Sequence, residues 1–158
     1  INVTNIEAEE FLNSYFLKFP EIKEYMNSTI KFCRKSGYVN NIFGRRTHVT
    51  GINDKNFNIR NFQERAAINA PIQGSASEIM RLAMIRVSNK LKDINNSDIK
   101  LLLQIHDELI FEVPNKNVDK ISKVIKDEMI SVINSDLHTF SIPLLVDLNI
   151  GNNWGLLH

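Results

Sequence analysis

The sequence predicts an α+β fold: an antiparallel sheet organised around one hairpin and packed by helices, with a mostly helical segment ahead of it. Three observations carry this. Residues 101–114, Leu-Leu-Leu-Gln-Ile-His-Asp-Glu-Leu-Ile-Phe-Glu-Val-Pro, are two apolar strand-like runs separated by three ionisable side chains. Upstream, Ile72, Ala76, Ile79, Met80, Ala83, Met84, Val87 and Leu91 recur at spacings of three and four, the stripe of a helix lying on a sheet. Downstream, residues 118–133 form an amphipathic helical pattern through Val118, Ile121, Ile125, Met129 and Val132, and Leu144–Ile150 reads as a third strand returning.

Taken in order, Thr4-Asn-Ile-Glu7 is a capping box, and the helix it opens carries Leu12, Tyr15, Phe16 and Phe19 up to Pro20. Pro20 starts a second helix with Ile22, Tyr25, Met26, Ile30 and Cys33 on one face, ending at Gly37 as a left-handed cap. Residues 38–49 read as two short strands about a turn near Gly44, so Arg45 and Arg46 leave that turn together. Residues 50–62 are a polar, Asn-rich loop. The long helix is expected from Glu64, with Pro71 in its first turn, where a proline displaces no hydrogen bond. Should it begin earlier, or merely kink at Pro71, then Arg65, Asn69 and Gln73, four residues apart, share one face. Lys100–Ile105 is apolar on both faces and reads as a buried central strand, followed by a strand over Leu109–Val113. There is no internal repeat and no Gly-, Pro- or Ser-rich linker.

With 158 residues, 43% of them hydrophobic, the chain has enough apolar content for a real core. No apolar stretch approaches membrane-spanning length, and the first residues lack the pattern of a signal peptide, so no membrane partner is expected. The first residue is Ile1, as expected of a segment cut from a longer protein. A single cysteine, Cys33, excludes an internal disulfide and a thiolate metal cluster, suits a reducing compartment, and reads as a small helix-face hydrophobe. Net charge is only +1 but unevenly spread. Residues 31–65 hold eight Lys or Arg against Asp54 and Glu64, and residues 98–158 hold nine acids against five lysines. A basic segment beside an acidic one suits a polyanion on one side and a cation on the other, although charged runs are commonly just solvated surface.

The chemistry concentrates at His106-Asp107-Glu108. Tight hairpins turn on residues such as Asn-Gly or Asp-Gly, and this triplet supplies no glycine. Three letters alone leave a solvated turn and a site evenly matched; the apolar strand before them moves the balance toward a site. Neighbouring side chains in extended chain point to opposite faces, so only one of Asp107 and Glu108 is expected as a principal ligand. Such carboxylates suit Mg²⁺, held by one or two carboxylates with phosphate oxygens and water, and two such ions stabilise both oxygens of an in-line phosphoryl displacement. A further carboxylate is then required from elsewhere. Asp147 is a candidate, with a strand-surface acid as the plainer reading. His106 reads as zinc ligand, general base or donor to nucleic acid; His48, His138 and His158 are too scattered to complete a zinc site. Asn69 and Gln73 are of the type that bonds minor-groove acceptors without reading sequence, and Arg65 of the type that adds a phosphate or sugar contact. An unrelated metal-dependent phosphohydrolase using His106 and Asp107 stands as a weaker alternative.

Gln104-Ile-His-Asp-Glu108 resembles motif C of family A DNA polymerases, and Glu64-Arg-Ala-Ala-Ile-Asn-Ala-Pro-Ile-Gln-Gly74 resembles the block that precedes it there. Gly37-Tyr-Val with Gly44-Arg-Arg46 is similar to the family's fingers-to-palm hairpin, and Gly151-Asn-Asn-Trp154 with a closing His158 to its C-terminus. Ile105, where Val is common, is a conservative difference. The resemblance covers essentially the whole chain and is nearest the bacterial type. It implies a helical fingers remnant over residues 1–62 and, over residues 63–158, most of a palm whose antiparallel sheet carries the catalytic hairpin. It implies Asp107 as a ligand of two catalytic Mg²⁺ ions and Glu108 as an auxiliary carboxylate. His106, Arg65, Asn69 and Gln73 would contact primer and template, with Arg45 and Arg46 as further candidate DNA contacts. The partners implied are primer-template DNA and dNTP, and the activity primer extension by two-metal nucleotidyl transfer in DNA replication or repair. The expected setting is a bacterial cytoplasm, with an organelle as the alternative. Motif A, with the other essential aspartate, and the nucleotide-binding motif B helix are not in this sequence. The isolated chain is therefore expected not to polymerise and not to hold Mg²⁺ stably. An exposed sheet edge is expected to let it self-associate, and weak, sequence-independent duplex binding is the alternative function.

Overall fold

The computed structural model describes residues 4–94, 98–135 and 138–157, and the chain divides into two compact units, Ile1–Gly74 and Ser75–His158.

In the first unit the predicted capping box opens α1 (Asn5–Lys18): Thr4 Oγ1 accepts from the Glu7 amide at 3.3 Å, and Glu7 Oε2 accepts from the Thr4 amide at 2.9 Å. Pro20 starts α2 (Pro20–Ser36), which stops at Gly37, φ 78°, where the Gly37 amide donates to the Cys33 carbonyl at 2.7 Å. Strands β1 (Tyr38–Asn40) and β2 (Arg46–His48) pair antiparallel, with Val39 opposite Thr47. Asn41 is buried and builds their turn: its Oδ1 accepts from the Phe43 and Arg45 amides, and its Nδ2 donates to the Gly74 carbonyl at 3.2 Å. The core of the unit is Cys33, Val39, Val49, Ile52 and Ala67.

Helix α3 (Phe57–Asp93) departs from expectation at its start. It begins seven residues before Glu64, so the predicted loop over 50–62 ends at Asn56. Asn56 Oδ1 accepts from the Asn58 amide at 2.9 Å and acts as the cap. The Asn-rich run hid this start because asparagine favours loops and caps alike. Pro71 consequently sits inside the helix rather than in its first turn. Its missing amide cannot donate to the Ala67 carbonyl one turn back, and at the neighbouring position Tyr25 Oη donates to the Ile68 carbonyl at 2.9 Å, tying α2 to this stretch of α3.

The second unit holds the rest of α3, then β3 (Lys100–Ile105), β4 (Glu108–Glu112) and α4 (Val118–Ile130), the last continued by a 3-10 turn over Ser131–Ile133. Strands β3 and β4 are antiparallel, Ile105 facing Glu108, with a bulge between Leu101 and Leu103. Val87, Ile121 and Ile125 form the core, with Leu91, Ile99, Phe111 and Met129 packed against it. Arg86 fastens the end of α4 through hydrogen bonds of 2.8 and 2.9 Å to the Ser131 carbonyl and Oγ. Two residues each form β5 (Asn134–Ser135) and β6 (His138–Thr139).

The α+β class stands, with two corrections. Leu144–Ile150 forms no strand; Leu144 and Val146 are half-buried and Leu145 and Asp147 exposed, so the alternation survives, but no described strand lies beside it to complete a ladder. For the same reason β3 is not a buried central strand. Its sheet has two strands, and Leu102 and Leu103 are 50% and 51% exposed. Beyond, Gly151 is tightly packed: a Cβ there would meet Leu157 Cδ2 at 3.1 Å, and Asn149 Nδ2 donates to the Leu157 carbonyl. Among the described residues no helix is long and apolar enough to cross a membrane.

Candidate functional site

In the second unit, β3 and β4 are joined by two residues, His106 and Asp107. His106 has φ 50°, the left-handed region, and is the one non-glycine among the described residues found there. That backbone is costly for an L-residue, and such positions cluster where function over-determines the chain. The Gln104 side-chain amide donates to the His106 carbonyl at 3.3 Å and braces the turn from within. His106, Asp107 and Glu108 are all exposed, and none of the ion pairs among the described residues engages either carboxylate.

The hairpin therefore presents two hard oxygen donors from a tight turn. In kind they suit Mg²⁺; in number they fall short. Among the described residues no group of three or more His, Cys, Asp or Glu is assembled for a metal, and Asp147 joins none. Of the other histidines, His48 lies on β2 and His138 on β6, while His158 lies outside the described residues.

In the first unit Arg65, Asn69 and Gln73 all lie within α3, all are exposed, and at four-residue spacing they share one face. The α3 that runs through Pro71 is what puts Gln73 on that face. Glu64, beside Arg65, is engaged elsewhere, accepting from Arg34 and lying 4.0 Å from Arg60 Nε. Arg45 and Arg46 are exposed where the chain leaves the β1–β2 turn, as expected. Two supporting residues escaped sequence reasoning. Asn41 shapes the turn that delivers Arg45, and Tyr38 holds the Arg46 guanidinium 4.6 Å from its ring centroid. An asparagine followed by a short turn was the available signal for the first. Cys33 is fully buried, and burial pushes its thiol above the ordinary value, consistent with a core residue rather than a nucleophile.

Comparison with known proteins bears on the whole chain. Residues 1–156 match the model of "DNA polymerase family A". The DNA polymerase I of Caldicellulosiruptor bescii is 42% identical over 154 residues, which are 98% of this chain and 17% of that protein. The DNA polymerase I of Geobacillus stearothermophilus is 38% identical over the same share of each, and that of Rhizobium leguminosarum 42% identical over all of this chain and 16% of its own length. This chain thus spans about one sixth of the curated relatives it matches. A solved structure, the POL domain of Pol1 from M. smegmatis in complex with DNA primer-template and dNTP, superposes with a TM-score of 0.90 at 32% identity, over 98% of this chain and 26% of that one.

Proposed function

The chain belongs to DNA polymerase family A, and from that premise we propose that it forms the distal fingers, residues 1–62, and most of the palm, residues 63–158, of a DNA-directed DNA polymerase. The complete enzyme extends a primer on a DNA template with dNTPs, in replication or repair, in a bacterial cytoplasm. The observation that carries the site assignment is the two-residue turn with His106 at φ 50°, which holds three ionisable side chains exposed at the tip of one hairpin.

The chain's own residues bind and orient. Arg65 meets a phosphate or sugar; Asn69 and Gln73 donate to the acceptors every base pair shows in the minor groove, testing duplex shape without reading sequence. His106 faces the primer terminus, and Arg45 and Arg46 add contacts to the DNA backbone. Asp107, with Glu108 beside it, is one side of the carboxylate set that would hold Mg²⁺, whose chemistry is to stabilise charge on the attacking and leaving oxygens. Two carboxylates do not complete that set, so no step of the transfer is assigned to these 158 residues alone.

Two experiments test this. In a primer-extension assay the isolated chain yields no extended product; templated, Mg²⁺-dependent extension would show that the assignment of missing parts is wrong. In a titration with primer-template duplex the chain binds weakly at about 50 mM salt and loses affinity by 200 mM, as phosphate contacts require. Asn69→Ala and Gln73→Ala weaken that binding with little change in its salt dependence. Absence of binding at low salt removes the reading of the α3 row. The open edge of β3 further leads us to expect self-association as concentration rises, read by sedimentation velocity.

A further inference from the structure

The outward face of the β1–β2 ribbon is made of groups that recognise nucleobases. Pairing sets Tyr38 opposite His48 and Asn40 opposite Arg46, and alternation along each strand puts all four on one face. The opposite face carries Val39, which is buried in the core, so the ribbon is anchored on one side and presented on the other. Tyr38 organises the presented side. The Arg46 guanidinium carbon stands 4.6 Å from its ring centroid, the His48 ring meets it edge-on at 5.9 Å, and Phe32 from α2 meets it edge-on at 5.7 Å. Arg46, His48 and Asn40 are exposed. No ion pair among the described residues neutralises Arg46, nor Lys35, which shares the face of α2 that bears Phe32.

We propose that this face is a stacking platform for unpaired DNA. His48 and Arg46 stack on bases, Tyr38 fixes their positions, Asn40 supplies a hydrogen bond, and Lys35 faces the backbone phosphates. Two properties point to a single strand as occupant. The segment 31–65 is strongly basic, with eight Lys or Arg against two acids, which suits a polyanion. Its exposed ribbon face combines an aromatic ring with a guanidinium, the pair that stacks on the π-face of any base, and a duplex keeps those π-faces buried in its own stack. The proposal rests on the polymerase reading for its choice of DNA. It adds a subsite for template that is not paired with primer, separate in sequence from the α3 row that meets the duplex.

The test is a titration of the 158-residue chain with a single strand of about ten nucleotides carrying 2-aminopurine, beside a blunt duplex, using wild type, His48→Ala, Arg46→Lys and Tyr38→Leu. Wild type quenches the 2-aminopurine, as stacking does. His48→Ala and Arg46→Lys weaken single-strand binding roughly five- to hundredfold and restore fluorescence, and in His48→Ala, which removes no proposed duplex contact, duplex affinity stays within about twofold. Both residues are exposed, so these variants keep the fold, and circular dichroism checks it for Tyr38→Leu. Unchanged quenching in His48→Ala, or full binding by Arg46→Lys, would show that charge alone holds the strand and overturn the proposal. Failure of the wild-type chain to bind duplex strikes the α3 row instead, and the two failures are read in separate arms.

Discussion

Replacing His106 by glycine is expected to stabilise the hairpin while weakening the site. The side chain is exposed, so its removal leaves no cavity, and the bond that braces the turn runs from Gln104 to the His106 carbonyl, which glycine keeps. What changes is the backbone. At φ 50° an L-residue carries a cost of about 1–2 kcal/mol that glycine does not. Histidine tolerates this region better than most, which favours the lower figure. Against it stands the greater freedom of glycine in the unfolded chain, about 0.4–1 kcal/mol. The balance is a gain of roughly 0–1 kcal/mol, where the same substitution in a strand with ordinary φ would lose about 0.5–1 kcal/mol. Urea denaturation followed by circular dichroism reads the sign, and exchange protection of the β3–β4 amides locates it. In the same variant, duplex affinity falls because the donor proposed to face the primer terminus is gone. A loss of stability above about 1 kcal/mol would mean that His106 makes packing contacts in solution and that its backbone conformation is not the reason the position is unusual.

Other expectations follow from burial and charge. Ile121, 1% exposed at the centre of the second unit's core, should cost about 2–5 kcal/mol as Ile121→Ala, read as a lowered urea midpoint. Leu102→Ala, at a half-exposed strand position, should cost about 1 kcal/mol or less; a loss above about 2 kcal/mol would mean that β3 is covered, and repeating it at tenfold lower concentration tells whether a second copy covers it. The Glu7 carboxyl is held below its ordinary value by hydrogen bonds from Thr4, first its amide and then its hydroxyl. Its folded value is depressed, so the stabilisation of α1 is present above the ordinary glutamate value and is lost as pH falls through the lowered one; helicity should drop in that acidic window, and in Thr4→Ala the drop should begin at higher pH. Cys33, with a thiol raised by burial, should resist alkylation at neutral pH until the first unit unfolds. Fast labelling of the native chain would contradict the burial.

The parts of the fold that were legible are those decided within a few residues. Thr4 and Glu7 meet across one turn, Gly37 adopts the positive φ expected of a left-handed cap, the turn expected near Gly44 forms there, and β3 has the predicted ends because apolar run and turn abut. The start of α3 was misread for a local reason, the double role of asparagine in loops and caps, and the other misreadings depended on partners far away in sequence. Whether Leu144–Ile150 becomes a strand is decided by a neighbour to pair with, not by its own alternation. Whether β3 is buried is decided by what lies over its two apolar faces, and its own residues carry no information on that. Pro71 belongs with the start of α3. Propensity places a proline at a helix start, yet Asn56 capped the chain earlier.

The same division explains the site. His106-Asp107-Glu108 stood out because its letters conflict with the turn they occupy, and the structure sharpens that conflict into a single backbone angle at His106. A sequence that is consistent across levels elsewhere and inconsistent at one exposed hairpin tip marks where something other than folding set the residues. The number of metal ligands has no such local mark. It is a property of how distant carboxylates converge, and on the proposed reading Asp107 with Glu108 carries only one side of it. Asn41 and Tyr38 were invisible for a related reason: each acts by holding another residue, Arg45 through its backbone and Arg46 through a ring face, and such a role shows only when both partners are placed. It follows that in this chain the groups proposed to meet substrate are read from sequence more readily than the groups positioning them, because the former break a local rule and the latter obey one.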